Sequence, residues 1–279
     1  MELPNLFHIG TQRAGSSYLY NLLKTHPEVS LSSYQEIHFY TRNFHRGVEW
    51  YTNSFTKLGQ RIDTSPKYFM QGEQAAPRIK ELLREPPPLF LLILRNPIDY
   101  VHSHYQMQLR KGYFAKHSAM YPKVPTDLVE FVKMYPNYLE RGLYCKLLEE
   151  HWLSRFDESQ FKIVVFEEFV TNTDEVIREI LGFFGLPDRR LSTVSSSKNR
   201  MLRYPFLYGA KRAAVKRPRL KSFLKSSRLF NSIYDHYLSA RPLGLSKDDR
   251  GWLREYFSED VNRLKQRLGG GIPKWSDFR

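Results

Sequence analysis

Only one of the 279 residues, Cys145, is a cysteine, so no disulfide can close within this chain. A lone thiol points to a reducing compartment or an unconstrained group. No apolar run reaches the roughly 18–20 residues that cross a bilayer. Met1-Glu2-Leu3-Pro4-Asn5 lacks the basic start and apolar centre of a secretory leader. Together these absences lead to the expectation of a cytoplasmic protein with no membrane span. His102-Ser103-His104 is not metal-ligand spacing for a helix, and no cysteine cluster supports zinc, so no metal site is expected. Acids are also scarce. Asp and Glu number 29 against 43 Lys and Arg, and the net charge is +14. No acid appears between Asp188 and Asp235, while Lys198, Arg200, Arg203, Lys211, Arg212, Lys216, Arg217, Arg219, Lys221, Lys225 and Arg228 crowd that tract. Such a surface attracts polyanions; equally, it serves as a solvated face that keeps the protein in solution. Zinc-finger spacing, a basic zipper and the aromatic RNA-binding pattern are all missing, so nucleic acid is not an expected partner.

What is present is an ordinary globular composition, 41% apolar, in a chain long enough for one sizeable core. Buried strands are expected at Leu6–Ile9, Arg61–Asp63, Phe90–Leu94 and Lys162–Phe166. Helices are expected at Ser17–Lys24, Val48–Phe55, Ala75–Leu83, Asp99–Arg110, Tyr138–Phe156, Asp174–Phe184 and Lys247–Leu268. Segments 111–126 and 187–245 read as loops, the second with short helices near Tyr208–Val215 and Phe223–Tyr237. Alternating strands and helices imply an α/β fold with a mainly parallel sheet, built as one domain over residues 1–279. Ligands then bind beyond the carboxyl ends of the strands, so Gly10, Thr64, Arg95 and Glu167 should share one rim.

Directly after Leu6-Phe7-His8-Ile9 comes Gly10-Thr11-Gln12-Arg13-Ala14-Gly15-Ser16-Ser17. A strand, a glycine loop and a helix start form a phosphate-holding pattern: glycine lets the backbone approach an anion, and the first amides of the helix point at it. The spacing Gly10…Gly15 fits a Walker loop, but Ser16 stands where the lysine belongs, and the cation sits inside the loop as Arg13. A second apolar run, Leu89–Leu94, has the continuous character of a strand buried on both faces. It is followed by Arg95-Asn96-Pro97, where a nucleotide hydrolase often ends such a strand in an Asp that helps hold Mg²⁺. A cation there repels a metal and attracts a second phosphate. A ligand with two separate anionic ends fits both segments better than Mg-ATP.

These segments resemble the sulfotransferases that use 3′-phosphoadenosine 5′-phosphosulfate (PAPS). The glycine loop is similar to that family's 5′-phosphosulfate loop, which implies Gly10, Thr11, Gln12, Arg13, Ala14, Gly15, Ser16 and Ser17 as donor contacts. The stretch from Arg95 to Tyr105 is similar to the 3′-phosphate motif, an Arg with a Ser eight positions later, and implies Arg95 and Ser103. Gln35-Glu36-Ile37-His38-Phe39-Tyr40 and Gly47-Val48-Glu49-Trp50-Tyr51 resemble one branch, the heparan sulfate glucosaminyl 3-O-sulfotransferases and related N-sulfotransferase domains. Ser65-Pro66-Lys67-Tyr68-Phe69 has that branch's Ser/Thr-Pro-x-Tyr-Phe shape. The likeness is dense over residues 6–110 and diffuse beyond.

The resemblance implies a P-loop-like three-layer domain and PAPS as co-substrate, leaving adenosine 3′,5′-bisphosphate. It makes Glu36 the general base that takes the acceptor's proton, and Arg13, where many members have lysine, the group that stabilises the leaving oxygen. Ser16 and Ser17 add hydroxyls to the cradle or cap the helix. His38 orients Glu36, touches the acceptor, or is a packed structural histidine; in an extended segment it would share a side with Glu36. Lys67 follows the proline, whereas the family often has a lysine where this chain has Thr64, so Lys67 either contacts the acceptor or sulfuryl group or points elsewhere. The late loop Ser195–Arg200 lacks the glycine that many relatives place over the nucleotide. The expected acceptor is a hydroxyl on a saccharide or glycoconjugate, acidic if the basic tract holds it. Alternatives are a lipid or metabolite alcohol, a nucleotide kinase or NTPase, and a polyanion-binding protein without catalysis. Relatives in this branch are anchored in the Golgi, so a trimmed catalytic domain of such an enzyme is the alternative to a cytoplasmic protein.

Overall fold

A computed structural model describes residues 3–110, 127–189, 191, 201–202, 239–240, 245–270, 272 and 274–279. The chain divides into two compact units, residues 1–100, 140–196 and 253–279 in the first and 101–139 and 197–252 in the second. The elements are β1 (Leu6–Gly10), α1 (Ser16–Leu23), β2 (Val29–Leu31), α2 (Gly47–Asn53), β3 (Gln60–Thr64), α3 (Gly72–Leu82), β4 (Leu89–Leu94) and α4 (Pro97–Arg110). They continue with α5 (Leu128–Met134), α6 (Asn137–Glu140), α7 (Tyr144–Leu147), β5 (Phe161–Val165), α8 (Phe166–Thr171), α9 (Thr173–Phe183), β6 (Met201–Leu202), β7 (Ser239–Ala240) and α10 (Lys247–Arg267).

The first unit is built on a five-stranded sheet in the order β2-β3-β1-β4-β5, every pair parallel. β1 lies at its centre, with Phe7 opposite Asp63 on one side and Phe90 on the other. All five of its residues are buried. A central strand covered on both faces has no solvent side, which is why β4 reads as an unbroken apolar run and β1 as one interrupted only by the fully buried His8, rather than as alternating strands. Leu19, Leu22 and Leu23 of α1 pack with Val176, Ile177, Ile180 and Leu181 of α9 and with Leu91 and Ile93 of β4 in one apolar cluster. Phe7 and Phe90 stack at 5.6 Å, and Phe90 meets Trp152 edge-on at 5.2 Å.

Because the strands are parallel, their carboxyl ends share one edge. Gly10 and Thr64 are the last residues of β1 and β3, Arg95 follows β4 directly, and Glu167 is the second residue of α8 after β5. The single helix expected over Tyr138–Phe156 is broken. α6 ends at Glu140, Gly142 lies in the turn, and α7 runs into a π-helical turn at Leu148–Leu153. That wide turn sets His151 and Trp152 over Gly72, where an added Cβ would lie 2.7 and 2.6 Å from them. Trp152 also donates its indole N–H to the Phe69 carbonyl at 3.2 Å, which a regular α-helical register would re-aim.

In the second unit α5 begins on Asp127, whose side chain accepts the Glu130 N–H at 2.8 Å. Tyr105, Phe131, Tyr135 and Tyr138 form an aromatic cluster, with Phe131 and Tyr138 4.9 Å apart. β6 and β7 pair antiparallel inside the stretch expected to be loop. The expected loop at 111–126, the short helices near Tyr208–Val215 and Phe223–Tyr237, and nearly all of the basic tract lie outside the described residues. Among the described residues no helix is long and apolar enough to cross a membrane, and no group of three or more His, Cys, Asp or Glu could hold a metal.

Candidate active site

The chain leaves the centre of the sheet at Gly10 and turns through Thr11–Gly15 into α1. Thr11 ties the loop to β4 twice, donating its N–H (2.7 Å) and its Oγ1 hydroxyl (3.0 Å) to the Ile93 carbonyl. A Cβ on Gly10 would come within 2.6 Å of the Phe69 Cβ, so the turn needs a glycine for room. Gly15 has φ +80° and precedes the helix in the capping position, and a Cβ there would press on the Phe166 ring at 3.1 Å. Arg13 takes φ +67° without being glycine, a sparsely populated backbone state that surrounding contacts must hold.

One of those contacts comes from Arg95, whose Nη1 donates to the Arg13 carbonyl at 3.1 Å. The Arg95 guanidinium also lies 5.3 Å from the centre of the Phe166 ring, so one aromatic side chain backs both Gly15 and Arg95. Ala14 is fully buried in the apolar cluster, while Gln12, Arg13 and Ser16 are half-buried. Neither serine caps the helix. Gly15 occupies that position, Ser16 is the first helical residue, and Ser17 is exposed and accepts from Gln35 Nε2 at 2.8 Å. The first amides of a helix are unsatisfied by the helix itself and face the loop, which suits an anion.

Glu167 holds the turn that carries Arg95. One carboxylate oxygen accepts the Asn96 N–H (3.0 Å) and the other accepts the Trp275 indole N–H (2.9 Å). Asn96 in turn caps α4 by accepting the Ile98 N–H at 3.0 Å, and donates to Asp277 at 2.7 Å. Spacing alone placed Glu167 on the rim; that it serves as an anchor was visible only once Trp275 arrived from the far end of the chain. Ser103 is buried on α4, within the second unit.

The carboxylate expected to act as base sits beside the loop. Gln35 bonds Ser17 through its side chain and accepts the Thr64 hydroxyl at 2.8 Å through its carbonyl, linking loop and β3. Next to it, Glu36 Oε2 meets His38 Nε2 at 3.0 Å. The segment is not extended at this point. His38 has φ +48°, and this bend, rather than strand alternation, brings the ring to the carboxylate. The Glu36 side chain remains 36% exposed, open to an incoming group, whereas the His38 side chain is 10% exposed. The hydrogen bond from His38 holds the Glu36 carboxyl below the usual range; burial opposes this, and the charges of His38, Lys67 and His8 assist it. Lys67 is half-buried and near enough to act on Glu36 electrostatically.

Four residues here were not singled out for any role by sequence: Asp63, Ser65, Tyr51 and Tyr68. Asp63 is fully buried at the end of β3. It accepts from Ser65 at 2.6 Å, Tyr51 at 2.8 Å and Tyr68 at 2.9 Å. The available signal was an acid between Ile62 and Thr64 at the buried end of the strand, two residues ahead of a serine.

Comparison with known proteins bears on the family and the fold. Residues 3–240 match the model of the sulfotransferase domain family. The human bifunctional heparan sulfate N-deacetylase/N-sulfotransferase 3 is 26% identical over 98% of this chain, which covers 31% of that protein. The mouse heparan sulfate glucosamine 3-O-sulfotransferase 3B1 is 28% identical over 66% of this chain, covering 47% of that protein. The chain thus spans half or less of the length of these relatives. A sulfotransferase crystal structure from Alicyclobacillus acidocaldarius superposes with a TM-score of 0.65 at 20% identity, covering 99% of both chains, and shares the fold. With a match across most of its length, and with a glycine loop closed by an arginine at the centre of a parallel sheet, the chain belongs to the sulfotransferase domain family.

Proposed function

We propose that residues 1–279 work as one sulfotransferase domain that moves the sulfuryl group of PAPS onto an acceptor hydroxyl carried by a saccharide or glycoconjugate. One observation carries this reading. Ser17, in the first turn of the helix that the glycine loop leads into, and Gln35, the neighbour of Glu36, are hydrogen-bonded at 2.8 Å, so the end of the loop lies beside a carboxylate paired with a histidine. Sulfuryl transfer needs those two parts adjacent and in line. Glu36 takes the acceptor proton as the hydroxyl oxygen attacks sulfur. The bond from sulfur to the bridging phosphate oxygen breaks, and that oxygen leaves with the electron pair, its charge met by Arg13 and the amides of the turn from Gln12 to Ser17, since the Thr11 amide is already bonded to Ile93.

Arginine stays protonated and grips two oxygens, so Arg13 stabilises the leaving group without donating a proton. Arg95 and Ser103 take the 3′-phosphate; the support for Ser103 is the family spacing. His38 orients Glu36, and Lys67 adds positive charge on the acceptor side. The saccharide acceptor is favoured by the relatives, whose names specify heparan sulfate, and an acidic one by the 198–228 tract.

The test is transfer of labelled sulfate from PAPS to a panel of glycans, lipids and phenols, with and without EDTA. Label in a saccharide that persists in EDTA is the expected result. Label confined to lipid or metabolite alcohols moves the acceptor, and Mg-dependent ATP turnover without sulfate transfer overturns the reading.

A further inference from the structure

We propose that Asp63 is a positioning residue that aims the Glu36–His38 pair. It does so by turning two hydroxyls so that their lone pairs grip the backbone of the segment carrying that pair. The inference rests on Glu36 being the base in the reading above.

The argument is one of counting hydrogens. A hydroxyl has a single hydrogen to give, and an ionised carboxylate can only accept. Ser65 gives its hydrogen to Asp63 Oδ1 at 2.6 Å, and Tyr68 gives its own to Oδ2 at 2.9 Å. Each hydroxyl then presents only lone pairs to its other neighbours. Those neighbours are backbone amides: His38 N–H donates to Ser65 Oγ at 3.0 Å, and Tyr40 N–H donates to the Tyr68 hydroxyl at 3.1 Å. The two amides lie two residues apart and bracket Phe39, the first at His38 itself, two residues after Glu36. With an amide at position 63 one side of the head group would donate, and a hydroxyl facing it would lose its reason to point its hydrogen inward.

The segment needs this hold. Residues 32–43 are in no strand, so no ladder satisfies their amides. His38 sits at φ +48°, a backbone state that persists only where neighbouring contacts over-determine it. Asp63, Ser65, Tyr51 and Tyr68 are all fully buried, so water cannot take over any of these bonds, and an unmade one leaves a buried polar group stranded. Burial pushes the Asp63 carboxyl up, while the three hydroxyls and the nearby His38 favour its charged form. Tyr51 completes the set differently. It donates to the same Oδ2 as Tyr68, at 2.8 Å, but belongs to α2 and is not the hydroxyl that accepts the Tyr40 or His38 amide.

That difference supplies the test. Tyr51→Phe and Tyr68→Phe each remove one hydroxyl from one carboxylate oxygen, yet of the two only the Tyr68 hydroxyl accepts a backbone amide of the segment; the Tyr51 hydroxyl reaches it through the Tyr40 side chain, and the Tyr51 ring, stacked on Phe39, is kept in Tyr51→Phe. Ser65→Ala removes the other grip, and Ser65→Thr keeps it. The readouts are melting temperature, calorimetric affinity for adenosine 3′,5′-bisphosphate, kcat for sulfate transfer, and titration of the Glu36 carboxyl followed by ¹³C NMR. Misplacing a reacting group by an ångström costs on the order of a hundredfold, so Tyr68→Phe and Ser65→Ala should lower kcat by about ten- to hundredfold with bisphosphate affinity within about twofold. In both, the Glu36 titration should climb toward the ordinary carboxylate range as His38 drifts away. Ser65→Thr should restore kcat, and Tyr51→Phe should keep it within about threefold despite a comparable fall in melting temperature.

The proposal is overturned if Tyr51→Phe costs as much turnover as Tyr68→Phe, or if Ser65→Ala leaves the Glu36 titration unmoved. If Ser65→Ala does not fold, the tyrosine pair decides alone. If the parent protein transfers no sulfate while the Glu36 titration responds as described, the catalytic reading falls and the aiming role stands.

Discussion

The guanidinium of Arg95, just past the end of β4, donates to the backbone carbonyl of Arg13 inside the glycine loop at 3.1 Å. The cation assigned to one end of the donor therefore also braces the loop assigned to the other end. Loss of Arg95 should be felt at both. Arg95→Ala should weaken adenosine 3′,5′-bisphosphate by about ten- to hundredfold, the usual worth of a hydrogen bond to a charged group. It should weaken AMP, which lacks the 3′-phosphate, by a smaller factor. Calorimetry giving equal losses for the two nucleotides would leave Arg95 with the bracing role alone.

Glu36→Gln keeps the shape of the side chain and removes the base. Turnover should fall by roughly 10²–10⁴-fold with donor affinity nearly unchanged. Single-turnover sulfate transfer measures this directly, and near-parental rates would mean that another group takes the proton.

The His38 hydrogen bond has a pH signature. It holds the Glu36 carboxyl below the range it would have in the unfolded chain. A folded-state pKa lowered in this way stabilises the protein fully above the unfolded value, about 4.3 for glutamate. That contribution fades as pH falls through the folded value. His38→Ala leaves burial as the dominant influence, so the Glu36 titration should rise, and the variant should melt lower than the parent at neutral pH but approach it in acid. Melting curves that stay parallel down to acid pH would show that the pairing contributes nothing to stability.

Cys145 is fully buried, and burial with Glu149 and Asp260 nearby pushes its thiol up to about 11. Only the thiolate reacts with disulfide reagents and alkylators. In the native protein at pH 8, labelling by a disulfide reagent should be slow and should accelerate on unfolding in urea. Labelling as fast as that of a free thiol would mean that the α7 region opens readily.

How much of this was legible beforehand follows physical lines. β1 and β4 were readable because a strand buried on both faces must be largely apolar, and the loop between β1 and α1 because close backbone approach demands glycine at Gly10 and Gly15. β2 was missed: it has three residues, too few to show a period. α5 was missed although Asp127 and Glu130 offered a capping signal three residues apart. The break after α6 went unseen because the pattern over 138–156 is compatible with one helix; Gly142 lies in the turn that interrupts it, and the wide turn farther on seats Trp152 against Gly72, a partner about eighty residues away in sequence. Arg13 and Arg95 could be nominated by type and spacing, and Glu36 and His38 by the resemblance of their segment to the heparan sulfate sulfotransferase branch. That Glu36 and His38 meet through a left-handed backbone at His38, and not through strand alternation, is a matter of conformation that residue identity leaves open.

The sequence by itself determined the things that depend on local chemistry: a parallel α/β sheet, a glycine turn into a helix, one arginine in that turn and another just past β4, and no means of closing a disulfide within these 279 residues. Tertiary structure alone decided which groups serve those residues from a distance. Glu167 became the anchor of the Arg95 turn only because Trp275 and Asn96 converge on it, and Asp63 became a hub only because α2, β3 and the turn after it deliver Tyr51, Ser65 and Tyr68 to one carboxylate. The reason is the range of the interaction. Propensity and periodicity act over a few residues, whereas a buried carboxylate takes its partners from wherever the packed chain brings hydroxyls within 3 Å, and no local pattern records that meeting.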